Sequence, residues 1–227
     1  MKFFIKIKLL INLIKYRGFL IKKQYSKNSE DKFLLNFFKN KLSGTYIDIG
    51  AFHPYRFSNT YLLHDKGWNG LNIDINKKSI DLFTIARPND INLNIAVGDA
   101  NKKQTFYYKK KLHPMNTLNK DFAKMFIDKN IKKSQIMTYT FDFVLKKFFY
   151  KKKVDLLDID VEGAEYNIIK KINFKKVKFN LILIEITNFN TKSKVNARKI
   201  RNLLTKYGYK YLKSFGETSV YKNIAYK

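Results

Sequence analysis

The sequence predicts an α/β fold, with helices covering both faces of a mostly parallel sheet and an antiparallel hairpin at its C-terminal end. Three observations carry this expectation. Five short apolar runs, "TYIDIG", "GLNIDI", "INLNIAVG", "VDLLDID" and "NLILIEI", each have a far end that meets a turn or an acidic residue, as buried strands do. Helical patterns lie between them, and parallel neighbours require such crossovers of roughly a dozen or more residues. The last stretch, "YKYLKSFGETSVYKNIAYK", has two β-rich arms about a glycine-containing turn at residues 214–218.

Taken in order, "SEDKFLLNFFKNKL" (29–42) reads as a helix, with Ser29 as N-cap and Phe33, Leu34, Phe37 and Phe38 as its buried stripe. Further helices are expected around residues 58–66, 78–85, 141–149, 163–172 and 196–207. No internal repeat or Pro/Gly-rich linker interrupts the pattern, so one domain over residues 43–227 is expected behind a basic helical extension, residues 1–42. The first residues, "MKFFIKIKLLINLIKYRGFLIKK", do not read as a membrane span. Lys6, Lys8 and Lys15 break the apolar run short of the roughly 18 to 20 residues a span needs, and no small-residue cleavage site follows. As a helix, this segment places Phe3, Ile7, Leu10, Ile11 and Ile14 on one face with lysines at its flanks. Residues 1–23 then either lie on anionic lipid or pack on the domain or a partner. The expected location is cytoplasmic, at the inner face of the membrane under the first alternative.

The composition narrows the chemistry. With 227 residues, 45% of them hydrophobic, the chain can build one ordinary core. The lack of cysteine excludes disulfide frameworks, thiolate zinc sites and cysteine nucleophiles, and three histidines are too few for a histidine-built metal cage. A net charge of +28 points in general towards polyanions. Here, however, lysines far outnumber arginines and travel with Ile, Asn, Phe and Tyr along the whole chain, the set that AT-rich codons favour. They cluster in solvated groups such as residues 109–111 and 151–153. A nucleic-acid partner is therefore not expected.

Four stretches carry chemistry. In "IDIGAF", Asp48 ends a buried strand, and Gly50 lets the backbone of Gly50 and Ala51 turn close to a ligand. A single glycine does not make a pyrophosphate cradle, so a cofactor without one fits better; a lone D-x-G also fits an aspartate that caps the next helix. In "LNIDIN", Asp74 follows one strand–helix–strand passage later, where a carboxylate can accept both hydroxyls of a ribose. In "NLNIAVGD", Ala96 and Val97 would lie against an adenine, with Asn94 or Asp99 for a polar contact, although a plain buried strand also accounts for the pattern. The stretch "VDLLDIDVEGAEYNII" gathers Asp155, Asp158, Asp160, Glu162 and Glu165 in a chain with 18 acids. Carboxylates this dense are costly unless they share a proton, a cation or a hydroxyl substrate. Strand alternation sends Asp158 and Asp160 to one face, with Asp160 at the tip, while Glu162 and Glu165 sit beside a helix N-terminus. Next to the first turn, "AFHPYRFSNT" brings His53, Arg56, Ser58 and Asn59 either to the site or into a turn and a helix cap.

In order and spacing, "YIDIGAFHPYRFSNTYLLHDKGWNGLNIDIN", "RPNDINLNIAVGD", "MNTL", "TYTFDFVL" and "LLDIDVEGAEYNIIKKI" resemble the FkbM family of S-adenosylmethionine-dependent methyltransferases over roughly residues 44–186. The resemblance implies a class I methyltransferase fold, a Rossmann-like three-layer α/β/α sandwich whose seven-stranded sheet ends in the hairpin. It also implies S-adenosylmethionine as cofactor and O-methylation of a sugar, glycan or other small hydroxylated metabolite. By the same resemblance, Asp48, Gly50 and Asp74 are cofactor residues and Asp160 with Glu162 the acceptor-side pair. The expected cofactor site further includes Ala51, Asn59, Ala96 and Val97, and His53 joins the catalytic group with a pKa nearer neutrality. No metal ligand is expected. The chain departs from the family at Asp158, where many members have Lys or Ser. Two other readings keep the fold: an RNA methyltransferase, and a membrane-associated binding module without catalysis. No N-P-P-Y-type tetrad follows the fourth strand, which argues against base amino-methylation.

Overall fold

The computed structural model describes residues 2–17, 25–127, 130–149, 153–187 and 190–226. The expectations for residues 18–23 and for the lysines at 151 and 152 fall outside them, as does the side chain of Phe3. Helices α1 (Lys2–Arg17) and α2 (Glu30–Phe37) lead into β1 (Thr45–Ile49), α3 (Tyr61–Asp65), β2 (Asn69–Ile73), α4 (Lys77–Ala86) and β3 (Ile91–Leu93). There follow β4 (Ala96–Gly98), β5 (Lys102–Tyr108), α5 (Lys120–Phe126), β6 (Lys132–Thr140) and α6 (Phe141–Val144), which widens into a π-helical turn through Phe149. The C-terminal part comprises β7 (Lys153–Ile159), α7 (Glu165–Ile169), β8 (Lys178–Glu185), α8 (Thr191–Lys206), β9 (Tyr209–Phe215) and β10 (Thr218–Asn223).

Seven strands form one sheet in the order β3-β2-β1-β7-β8-β10-β9. The neighbours from β3 to β8 are parallel, and β10 runs antiparallel to both β8 and β9. β1, β2, β7 and β8, buried on both faces, read as near-continuous apolar runs. Alternation divides their side chains. Ile47, Ile49, Leu157, Ile159, Ile182 and Ile184 pack with Phe141, Val144, Ile168, Ile169, Ile200 and Leu204 of α6, α7 and α8. Tyr46, Leu156, Leu181, Leu183 and Val220 pack on the other face with Leu34, Phe38, Leu63 and Trp68. On this second face the strands change character towards their C-terminal ends, from Tyr46 to Asp48, from Leu156 to Asp158 and from Leu183 to Glu185.

The expected strand "INLNIAVG" divides in two. Asn94 is the cause: its side-chain amide donates to the carbonyls of Asp74 (2.9 Å) and Ile75 (3.0 Å), which ends the pairing of β3 with β2. The chain then turns to a second sheet, order β4-β6-β5, where Ala96–Gly98 runs parallel to Thr138–Thr140. Neither β5 and β6 nor α5 was apparent in the sequence pattern. Ser29 does precede α2, but in a left-handed conformation (φ 71°) and without a side-chain capping bond. Asp31 instead accepts from the Tyr25 N–H (2.7 Å) and the Ser26 hydroxyl (2.6 Å), folding the preceding loop onto the helix.

A fully buried Arg87, just past α4, ties these parts together. Its Nη2 donates to the Pro54 carbonyl (2.6 Å) and Ser58 Oγ (2.9 Å), and its Nη1 to Thr60 Oγ1 (2.9 Å) and Tyr46 Oη (3.2 Å). The Tyr46 hydroxyl donates to Asp90, which also accepts from the Gly70 N–H (3.0 Å) and Asn72 Nδ2 (2.9 Å). Thr60 passes the connection on to Asp48 Oδ2 (2.8 Å). Arg87→Met keeps the aliphatic bulk and strands these acceptors. Breaking a buried charged network costs about 3 to 5 kcal/mol. The melting temperature should therefore fall on the order of 10 °C for a domain of this size, read by circular dichroism. A fall of less than about 2 °C would show that the 54–60 loop does not depend on it.

Candidate functional site

β1 and β7 lie side by side, yet the chain runs outward from β1 to β2 and β3 and outward from β7 to β8. The crevice at such a switch point, beyond the carboxyl ends of the strands, is where open α/β sheets bind ligands. Gly50 closes its floor. It has φ 89°, and a Cβ placed on it would lie 1.6 Å from the carbonyl oxygen of Asp160, so no other residue fits. The Asp160 N–H donates to the Ile49 carbonyl at 2.9 Å, and the Gly50 N–H to that of Ile73 at 2.9 Å. Positive φ at Phe52 (50°), Glu162 (57°) and Gly163 (93°) concentrates further unusual backbone around the same crevice.

The cleft is lined by Gly50, Ile73, Asp74, Ile75 and Asn76 from the first two strand ends, by Ile95, Ala96 and Val97, and by Pro114, Asn116 and Leu118, with Asp160 beyond them. Asp74 is buried and already oriented: Oδ2 accepts from the Phe52 N–H (2.8 Å) and Oδ1 from the Asn76 N–H (2.5 Å). Burial raises its pKa to about 6 against the pull of those donors. Asn116 donates to Asn76 Oδ1 and to the Lys110 carbonyl (2.9 Å), while its own Oδ1 is buried with no hydrogen bond among the described residues. A buried acceptor left unpaired is costly, and a ligand donor in the cleft would satisfy it.

The second sheet sets the opposite wall. Thr117 exchanges backbone hydrogen bonds with Tyr107 of β5 (2.8 and 3.0 Å). Its hydroxyl donates to the Glu162 carbonyl (2.8 Å), and Asn119 Nδ2 donates to that of Gly163 (2.8 Å). The acidic loop is thereby held so that Asp160, Glu162 and Glu185 each bring a carboxylate oxygen within 4.8 Å of the others. Burial, then Glu185 and Glu162, hold the Asp160 carboxyl well above the usual carboxylate range. Burial and then Glu185 raise Glu162 to about 8, and burial raises Glu165, which accepts from the Gly163 N–H (2.8 Å), to about 7. Three oxygen donors at this spacing can share a proton or a divalent cation. Lys27 reaches this cluster from the loop before α2, at 3.9 Å from Glu185.

Of the residues expected at a cofactor site, Gly50, Asp74, Ala96 and Val97 line the cleft. Asp48, Ala51 and Asn59 lie behind it: Asp48 accepts from Thr60, and Asn59 Nδ2 donates to Asp158 Oδ2 (2.9 Å) across the register pair Asp48–Asp158. Burial raises the Asp48 pKa to about 6 against the pull of its Thr60 hydrogen bond. Among the expected catalytic residues, Asp160 and Glu162 meet in the cluster, but His53 stands apart. Its Nδ1 accepts from the N–H of Tyr55 (3.0 Å) and Arg56 (3.1 Å), which leaves the proton on Nε2 to donate to Asn12 Oδ1 (3.0 Å). Burial and the neighbouring Arg56 and Arg87 lower its pKa to about 3, so the ring is neutral. Ser58 serves Arg87, and Asn94 and Asp99 lie off the cleft wall.

A model of the methyltransferase FkbM domain matches residues 48–211. The chain belongs to the FkbM methyltransferase family. Among solved structures, a methyltransferase FkbM from Methylobacillus flagellatus KT is similar at 11% identity and a TM-score of 0.49, over 87% of this chain and 48% of that one. The chain thus spans about half the length of that protein. No curated protein sequence matches. In this FkbM domain, sequence reasoning missed Glu185, Asn76 and Asn116 as members of the site. Glu185 carried a signal, as the acid that ends the apolar run of β8. Asn116 carried none beyond its place in "MNTL", because its partner Asn76 is 40 residues away.

The acidic cluster gives stability a defined pH dependence. Glu162 and Glu165 have folded-state pKa values raised to about 8 and about 7, above their ordinary value. The folded state therefore binds more protons than the unfolded chain, and this stabilisation is lost as pH rises through those values. All three histidines are shifted downwards in the fold, so they act in the opposite sense until the imidazoles of the unfolded chain, which titrate near 6.5, have lost their protons by about pH 7.5. The melting temperature should fall between about pH 7.5 and pH 8.5, and the slope should flatten in Glu162→Gln. A melting temperature that rises over this window would contradict the assignment.

Proposed function

We propose that this FkbM domain is an S-adenosylmethionine-dependent methyltransferase of the class I, Rossmann-like fold, acting on a hydroxyl of a sugar, glycan or other small metabolite. One observation carries the cofactor reading. The cleft at the switch point has the oriented carboxylate of Asp74 in its lining and, among the described residues, no lysine or arginine, in a chain with 46 of them. Such a wall repels the pyrophosphate of a dinucleotide and favours a nucleoside that carries positive charge. The chain's own groups fit the rest of it. Asp74 would accept the ribose hydroxyls, the unpaired Asn116 Oδ1 an amino group of the base, and Ala96, Val97 and Leu118 would cover the flat base. The order β3-β2-β1-β7-β8-β10-β9 with β10 reversed supports the class I assignment.

When bound, S-adenosylmethionine supplies an electrophilic methyl group on a sulfonium. The acceptor hydroxyl must then be aligned, stripped of its proton and screened from water. Asp160 and Glu162 lie where they can take that proton on a carboxylate oxygen, and a carboxyl titrating near 8 is a stronger base than an ordinary one. Glu185 brings a third carboxylate oxygen within 4.8 Å of theirs. His53 has both ring nitrogens engaged, and its part is to organise the 52–57 loop.

Incubation with methyl-labelled S-adenosylmethionine and fractions of cellular glycans, lipids and RNA tests the acceptor class. Label in glycan or small hydroxylated metabolites is expected, and label in RNA alone would overturn that part. Asp160→Asn should retain cofactor affinity in calorimetry while turnover falls by roughly 10² to 10⁴. Full turnover would remove Asp160 from the reaction. Asn116→Ala removes one neutral acceptor worth about 1 kcal/mol, so cofactor binding should weaken on the order of fivefold. Unchanged affinity would place the base elsewhere.

A further inference from the structure

Helix α1 is apolar on two sides, and the protein uses one of them. Its inner side is fixed to the body: Leu13 is buried, Asn12 bonds His53 (3.0 Å), and Tyr16 meets the same ring edge-on at 5.0 Å and accepts from Arg56 Nη1 (3.4 Å). The outer side carries Ile7, Leu10, Ile11 and Ile14, exposed by 37%, 39%, 59% and 70%. At 100° per residue these four fall within a sector about 100° wide, the width of an amphipathic face. Lys8 and Lys15 border it on one edge and Lys6 on the other, all three exposed. Isolated exposed apolar residues are ordinary, but a contiguous stripe on a rigidly seated helix marks an interaction surface.

The charge selects the occupant. No acidic residue precedes Glu30, and the whole chain carries +28. A second copy of α1 would bring lysines against lysines, and a nucleic acid would leave the isoleucines and leucine exposed to water. An anionic bilayer satisfies both parts, because headgroups meet the lysines while the stripe enters the acyl boundary. The helix is also too short and too interrupted to cross; among the described residues no helix is long and apolar enough to do so. We propose that the outward face of α1 docks the protein on anionic lipid, entered by Ile7, Leu10, Ile11 and Ile14 and bordered by Lys6, Lys8 and Lys15. The inference is independent of which acceptor is methylated.

The test uses the full chain with phosphatidylcholine vesicles, with and without about one-third phosphatidylglycerol, read by sedimentation. The wild type should bind the anionic vesicles at least about tenfold better than the neutral ones and lose that binding in about 0.5 M salt, where the Debye length is short. The double variant Ile11→Glu/Ile14→Glu should no longer sediment with either, at an unchanged melting temperature, since neither side chain is needed by the body. Equal sedimentation of variant and wild type would overturn the proposal, as would equal binding to neutral and anionic vesicles. A wild-type dimer in analytical ultracentrifugation that the variant abolishes, without vesicle binding, would assign the face to self-association instead.

Discussion

A guanidinium with no exposed surface can find partners only inside the protein, and Arg87 draws them from three places in the chain for both Nη atoms and its face, with Nε alone left without a hydrogen bond among the described residues. Pro54, Ser58 and Thr60 belong to the loop after β1, Tyr46 to β1 itself, and Phe83, whose ring lies 4.9 Å from the guanidinium carbon, to α4. The loop therefore has little freedom to settle elsewhere, because another conformation would leave a buried charge without partners. That fixed loop holds Phe52 where its N–H meets Asp74, and His53 where its ring meets α1. The cleft floor and the seat of the N-terminal helix are thus two outcomes of one buried charge.

A second organising feature is where the acids are. Against 46 basic residues the chain has 18 acidic ones, and on the face towards α2 the strands β1, β7 and β8 carry theirs near their C-terminal ends. Each carboxylate there has a burial cost, and the fold meets it with donors drawn from loops: Thr60 for Asp48, Asn59 for Asp158, Phe52 and Asn76 for Asp74. Where donors run short, at Asp160 and Glu162, burial and the neighbouring carboxylates raise the pKa values. Burial raises Asp48, Asp74 and Asp158 as well, so what distinguishes Asp160 and Glu162 is their place together beside Glu185.

The main sheet was legible because its central strands, β1, β2, β7 and β8, are buried on both faces and so are largely apolar. "VDLLDID" and "NLILIEI" advertise themselves, and the hairpin shows its glycine turn. β5 and β6 gave no such signal, since "KKQTFYY" and "KKSQIMTYT" begin with exposed lysines and are for the most part half-buried at best, with no clean alternation. The division after β3 depends on one Asn94 side chain reaching the Asp74 and Ile75 carbonyls, a tertiary event with no local pattern. The same difference runs through the site. Gly50, Asp74 and Asp160 sit at strand ends and could be read from the turns that follow them. Asn116 and Thr117 act through partners some forty residues away in the chain. The engagement of both His53 nitrogens was equally invisible, because "AFHPYRF" says nothing of the Asn12 that accepts its hydrogen bond.

The contact between Gly50 and the Asp160 backbone also bears on how the molecule assembles. Its two halves are 110 residues apart, and the pairing of β1 with β7 that brings them together is among the most non-local in the sheet. Contacts of this kind must close a long loop before they return any energy, so they form late relative to local helices and hairpins. A nascent chain that has emerged only as far as β6 can align β1, β2 and β3 but has no crevice, because one of its banks has not yet been made. Ligand binding at this site is consequently a property of the completed sheet alone, and any molecule held there shifts the balance towards the finished fold and away from every partial one.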